Sequence, residues 1–135
     1  MLPFLYKYLN FSPRFILPNS FYHKKLLNKE LKLHYTKPFS KPSERNGALA
    51  FAKSLLNDQD YFESLWRKIE RLTDKEVLFI WGMNDSTITP NYLAKFETAF
   101  PHNKVLKLSE CGHFPQEEKK EAVLKAIKGF LGESW

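Results

Sequence analysis

From Val77 to Trp81 every side chain is apolar, and most are β-branched or aromatic. A short, continuous run of this kind predicts a strand covered on both faces. Val105 to Leu108 predicts a second strand. Between them, Tyr92, Leu93, Phe96, Ala99 and Phe100 recur at helical spacing, opened by Pro90 and stopped by Pro101. After the second strand, Pro115 suits the first turn of a last helix. Val123, Leu124, Ile127, Phe130 and Leu131 are expected to form its buried stripe, and Gly132 can close it. Strand, helix, strand, helix predicts an α/β unit with two parallel strands joined by a crossover.

The first 72 residues follow a different pattern, and it predicts helices alone. Met1 to Pro18 is aromatic and broken by Pro3, Pro13 and Pro18, so only short helical pieces are expected. Ser20 to Tyr35 predicts an amphipathic helix with Ser20 as its cap. Thr36 to Pro42 predicts a loop. Ser43 is placed to cap a helix that buries Ala48, Leu49, Phe51, Ala52, Leu55 and Leu56 and stops at Asn57 and Asp58. Asp60 is placed to cap another, carrying Tyr61, Phe62, Leu65, Trp66, Ile69 and Leu72. The expected organisation is therefore a helical region, residues 1–72, followed by a β-α-β-α segment, residues 73–135. Two parallel strands cannot cover themselves, and nothing upstream supplies a third.

Composition adds little to this picture except through charge. The 135 residues are 43% hydrophobic and 27% charged, ample for a packed core and unlike a disordered chain. The net charge is +6. Residues 1 to 45 hold nine Lys/Arg against two Glu, so the whole excess lies in the first third. A solvated lysine-rich face explains this better than a nucleic-acid surface, since no nucleic-acid motif accompanies it. No stretch has the ~20 apolar residues of a membrane span. Lys7 interrupts the apolar N-terminus and no small-residue cleavage site follows it, so a secretory signal is not expected. The single cysteine, Cys111, forms no internal disulfide and fits a reducing, cytoplasmic setting.

The chemistry gathers at two turns. Val77 to Gly82 runs on to Asp85, and Cys111-Gly112-His113-Phe114-Pro115-Gln116-Glu117-Glu118 follows the second strand. Asp85 and His113 lie 28 residues apart, so one helix and one strand separate them and both can emerge at one end of a parallel sheet. An aspartate that orients a histidine is two-thirds of a nucleophilic triad. Each residue also has a plain structural reading: Asp85 as a turn cap beside Ser86, Thr87 and Thr89, and His113 as a turn histidine. Cys111 is a poor nucleophile for His113, since residues so close in a strand-to-helix turn rarely face each other. Glu117 and Glu118 fit a helix N-terminus as surface charges complementing its dipole better than they fit an acid–base pair. Trp66, Phe62 and Phe51 fit core packing better than a substrate pocket, and Trp81 fits the core. His23, His34 and His102 lack metal-ligand spacing and read as surface histidines.

Taken together, Val77 to Asp85, Thr89-Pro90, Phe100-Pro101 and Gly112 to Glu118 resemble the C-terminal section of an α/β-hydrolase. The wording is most similar to the haloalkane dehalogenase branch and its epoxide-hydrolase and esterase neighbours. Pro38-Phe39 and Pro42-Ser43-Glu44-Arg45 are similar to the cap segment of dehalogenase-like members. The resemblance places the catalytic acid on Asp85 and the catalytic histidine on His113. It implies an incomplete α/β-hydrolase fold, a cap plus the last two strands and helices. It also implies a small apolar substrate hydrolysed through a covalent ester, with no cofactor and no metal. The family's nucleophile elbow, G-x-[S/D]-x-G, has no counterpart here. Glycines occur only at 47, 82, 112, 129 and 132, and no two are four apart. The chain alone is therefore expected to be inactive. The alternative is a non-catalytic module that pairs its strand edge with a separate N-terminal half or with itself. A basic adaptor for nucleic acid ranks below both.

Overall fold

The computed structural model describes residues 1–132, which leaves 133–135 of the expected second segment outside the described residues. The chain divides into two compact units. One comprises Met1–Asn19 and Leu27–Lys68; the other comprises Ser20–Leu26 and the chain from Ile69 onward.

The first unit is helical. Helix α1 (Leu2–Lys7) carries Pro3 in its first turn. A π-helical turn, Ser12–Ile16, runs directly into α2 (Leu17–Ser20). These are the short pieces expected from the prolines. The helix expected from Ser20 to Tyr35 is not formed as one piece. Ser20 ends α2 instead of opening a helix, residues Lys24–Leu26 make a 3-10 turn, and α3 spans Lys29–Thr36. The residue that caps α3 is Asn28, whose side chain accepts the Leu31 amide at 2.9 Å.

Ser43 does not cap the next helix. It lies within a 3-10 turn, Pro42–Arg45, where the Glu44 carboxylate accepts the Lys41 amide at 2.7 Å. Helix α4 follows (Asn46–Asn57), ending where expected, and α5 spans Gln59–Trp66. Asp60 is inside α5, and Ile69 and Leu72 belong to a separate 3-10 turn. On α4, Leu49 and Ala52 are buried, but Phe51, Leu55 and Leu56 of the expected inward face are exposed. A further 3-10 turn spans Lys37–Phe39, and the buried Arg45 donates to the carbonyls of Lys7, Phe39 and Ser40, tying α1 to this stretch and to Pro42–Arg45.

The second unit is built on two strands, β1 (Val77–Gly82) and β2 (Asn103–Leu108), paired in parallel. The register runs from Val77 opposite Asn103 to Gly82 opposite Leu108, so both strands end at the same level. Helix α6 (Pro90–Ala99) joins them. Leu93 and Phe100 are buried, and Phe79 packs its ring against Phe96 and Phe100; Tyr92 is exposed and not inward as expected. The last helix is interrupted. A single turn, α7 (Pro115–Glu118), is separated from α8 (Lys120–Leu131) at Lys119, which leaves helical angles. Gly132 closes α8 at φ 71°, as the sequence predicts. Leu124, Ile127 and Leu131 of the α8 stripe are exposed, because the two described strands offer too little sheet to cover them. No helix of the described residues is long and apolar enough to cross a membrane.

Candidate active site

The strand register puts the two predicted residues together. Asp85 lies three residues beyond the end of β1 and His113 five beyond the end of β2, and those ends are adjacent. The chain after β1 keeps the ladder going: Met83 donates its amide to Leu108, and Asn84 donates to Cys111. His113 Nδ1 then stands 2.8 Å from Asp85 Oδ2. A carboxylate has no proton to give, so Nδ1 is the donor, and in the neutral form of the ring Nε2 is then the acceptor nitrogen.

Asp85 is fixed on its other side as well. Its Oδ1 accepts the amides of Thr87 at 2.7 Å and Ile88 at 2.9 Å, which is a turn of the aspartate's own making. The two readings of Asp85 are thus not exclusive: one oxygen caps the turn and the other holds the histidine. Its side chain retains 7% of its accessible surface, against 30% for His113. The imidazole therefore reaches the surface with a buried carboxylate behind it.

Glycine is required twice. A β-carbon on Gly82 would lie 2.0 Å from the Gly112 carbonyl oxygen, and one on Gly112 would lie 2.4 Å from the Ser20 carbonyl oxygen. These are contacts with backbone, which cannot swing aside. Gly112 therefore admits a third segment beneath the histidine turn. Ser20 accepts the His113 amide at 2.8 Å, its hydroxyl lies 3.2 Å from that of Thr87, and Phe21 stacks on Phe114.

Glu118 departs from its expected role as a surface charge. It is buried, and its two oxygens accept the amides of Gly112 and of His23, each at 2.8 Å. One partner, the Gly112 amide, is six residues away, and the other, the His23 amide, is 95 residues away, which no local pattern signals. Trp81 is also not simply core. Half-buried, it donates its indole N–H to the Ile88 carbonyl at 3.2 Å and so holds the loop after Asp85. Cys111 is fully buried, and burial, with the Glu118 and Asp85 charges, pushes its thiol up to about 11. A neutral thiol is a poor nucleophile, in line with the sequence reading. Phe51, Phe62 and Trp66 are exposed, so the core packing expected of them is not seen. Ile80, Trp81, Ile88 and Pro115 join Asp85 and His113 around an open cleft of about 160 Å³. Its walls are mainly apolar, and His113 forms part of its lining. Among the described residues no cluster of His, Cys, Asp or Glu has the arrangement of a metal site.

Residues 10–120 match the family described as alpha/beta hydrolase fold, and the chain belongs to that family. Within it the chain is haloalkane dehalogenase-like. A haloalkane dehalogenase loop variant from Bradyrhizobium elkanii superposes with a TM-score of 0.81 at 22% identity, over 96% of this chain and 44% of that one. A cis-3-alkyl-4-alkyloxetan-2-one decarboxylase of Shewanella oneidensis is 24% identical over 80% of this chain and 36% of its own length. Haloalkane dehalogenase 2 of Mycobacterium tuberculosis is 27% identical over 70% of this chain and 34% of its own. The chain thus spans about a third of the length of the curated relatives it matches. The two-stranded sheet with its flanking helices is an incomplete α/β-hydrolase fold.

Proposed function

We propose that Asp85 and His113 are the acid and base of a dehalogenase-type hydrolase site. In this reading His113 takes a proton from water through Nε2, and that water hydrolyses a covalent ester formed on a nucleophile. Asp85 holds the tautomer and stabilises the imidazolium that forms. The nucleophile is supplied by polypeptide outside these 135 residues, whether continuous with them or separate. Residues 1–72 take the cap role and 73–135 the core role. The substrate is small and mainly apolar: a haloalkane, an epoxide or an ester. A cytoplasmic setting is supported by the free thiol of Cys111.

One observation carries this reading: a surface imidazole held at 2.8 Å by a buried carboxylate, at the shared end of two parallel strands. The test is a proton spectrum of the chain. A far-downfield Nδ1–H signal is expected, absent in His113→Gln. Its absence from the unmodified chain would sink the acid–base assignment. The chain alone is expected to release neither p-nitrophenol from p-nitrophenyl acetate nor halide from haloalkanes. Turnover abolished by His113→Ala would show that a nucleophile is present after all.

A second reading is favoured by the exposed Leu124, Ile127 and Leu131 beside a sheet of two strands. In it the chain is a non-catalytic module that covers this face with a separate N-terminal half or a second copy. Sedimentation velocity tests it. A chain that stays monomeric at every concentration and ignores an added N-terminal half rules it out.

A further inference from the structure

We propose that Glu118 is a positioning residue for His113, a carboxylate clamp that fixes the turn carrying the imidazole and so sets the ring against Asp85. The proposal rests on the acid–base reading of that pair. Two consecutive amides set the backbone at the histidine. Gly112 donates to Glu118 Oε1 at 2.8 Å, and His113 donates to the Ser20 carbonyl at 2.8 Å. The second bond depends on where the segment from Ser20 to Leu26 lies. Glu118 holds that segment too, since its Oε2 accepts the His23 amide at 2.8 Å. One side chain therefore controls both supports. The ring hangs from this backbone by two torsions, so a shift of the turn carries Nδ1 with it. A hydrogen bond at 2.8 Å tolerates little of that before its geometry degrades.

The residue types fit the task. A carboxylate offers two acceptors and no donor, which is what two inward-pointing amides require. Glutamine offers one acceptor, and its amide nitrogen would face an N–H. Glycine at 112 is the complement: a β-carbon there would lie 3.0 Å from Glu118 Oε1 as well as against Ser20. Both features lie within the Gly112-to-Glu118 stretch, six residues apart.

The experiment uses the full chain, isotopically labelled, and reads the Nδ1–H signal of His113. In Glu118→Gln the signal is expected to move upfield or vanish, while the resonances of Leu93 and Phe100 stay in place. Glu118→Asp, which keeps two acceptors on a shorter stem, is expected to restore part of it. An unchanged signal in Glu118→Gln overturns the proposal, because a purely structural carboxylate would leave the ring undisturbed. Through-hydrogen-bond couplings from the Gly112 and His23 amides to the Glu118 carboxyl carbon are expected in the unmodified chain. If either is missing, the clamp is refuted even where the variants fail to fold. Failure of the underlying pair looks different: no Nδ1–H signal before any substitution, or one that ignores Asp85→Asn.

Discussion

Gly82 and Gly112 meet so closely that neither turn accepts a side chain at that point. A β-carbon on Gly82 would sit 2.0 Å from the Gly112 carbonyl oxygen and 2.6 Å from that of Cys111. The two glycines let the chain leaving β1 and the chain leaving β2 run together to Asp85 and His113. The motif glycines are therefore demanded by packing between turns, not by local flexibility.

Gly82→Ala is expected to push these turns apart. The Asn84-to-Cys111 bond would be lost with it, and overpacking of this kind costs about 3 kcal/mol. Thermal unfolding monitored by far-ultraviolet circular dichroism measures the cost. Gly47→Ala serves as the control, since nothing lies within 4 Å of a β-carbon there and it sits inside α4. The control is expected to be stabilised by roughly 0.5–1 kcal/mol.

Much of this site was legible in the sequence because it depends on short-range facts. The apolar run at Val77 fixed a strand, the spacing to Val105 left room for one helix, and a parallel register aligned the two ends. Asp85 and His113 follow from those steps. Glu118 does not, since its burial depends on the His23 amide, 95 residues away, which local periodicity cannot pair with it. Ser20 fails as a cap for a related reason. Its carbonyl is taken by His113, 93 residues later, and that long-range bond outweighs a local preference. The α8 stripe was expected to be buried, and Leu124, Ile127 and Leu131 are exposed instead, since burial needs a surface to bury against. Periodicity predicts which face is apolar and is silent on what covers it.

Asp85→Asn is expected to reverse the histidine's tautomer while keeping the turn. The asparagine oxygen can still accept the Thr87 and Ile88 amides, and its NH₂ then faces Nδ1 as a donor. Nδ1 must become the acceptor and the proton moves to Nε2. Nitrogen shifts of the His113 ring report this directly. In an assembled, active hydrolase the same change is expected to lower turnover on the order of 10⁴-fold, the scale of a wrong-tautomer triad. A ring that keeps its Nδ1 proton in the variant would contradict the pairing.

Glu110→Gly is expected to stabilise the fold. Glu110 is exposed and holds φ at 51°, a left-handed conformation that side chains other than glycine adopt at a cost. Glycine removes that cost but adds freedom to the unfolded chain, leaving a net gain of about 0.5–1 kcal/mol. The melting temperature should rise by about 2–4 °C. Glu110→Val, β-branched, should fall below the unmodified chain.

Arg45→Met is expected to weaken the helical unit. The guanidinium is buried and donates to the carbonyl oxygens of Lys7, Tyr8, Phe39 and Ser40. Methionine keeps much of the volume but leaves these carbonyls without their donors. At about 1.5–3 kcal/mol for a hydrogen bond to a charged group, with the part-buried carbonyls regaining some water, a loss of roughly 3 kcal/mol is expected. Hydrogen exchange across α1 and α4 tests whether the loss falls on this unit. Protection unchanged in both helices would show that the arginine is not what ties them.

Cys111 ties the stability of the second unit to alkaline pH. Its thiol is buried and stays neutral up to about 11, raised first by burial and then by the Glu118 charge. In the unfolded chain the same thiol ionises near its ordinary value of 9.0. Below that value both states hold the proton and the group makes no pH-dependent difference. Between 9.0 and about 11 the unfolded thiol has lost its proton and the folded one has not, so rising pH favours unfolding. Stability is therefore expected to decline through this window, and Cys111→Ala should remove that part of the slope. Urea titrations at a series of pH values measure it. At pH 8 the native thiol is expected to react with a disulfide reagent only as fast as the chain opens. Reaction at the rate of free cysteine would show that the thiol is accessible and the burial argument mistaken.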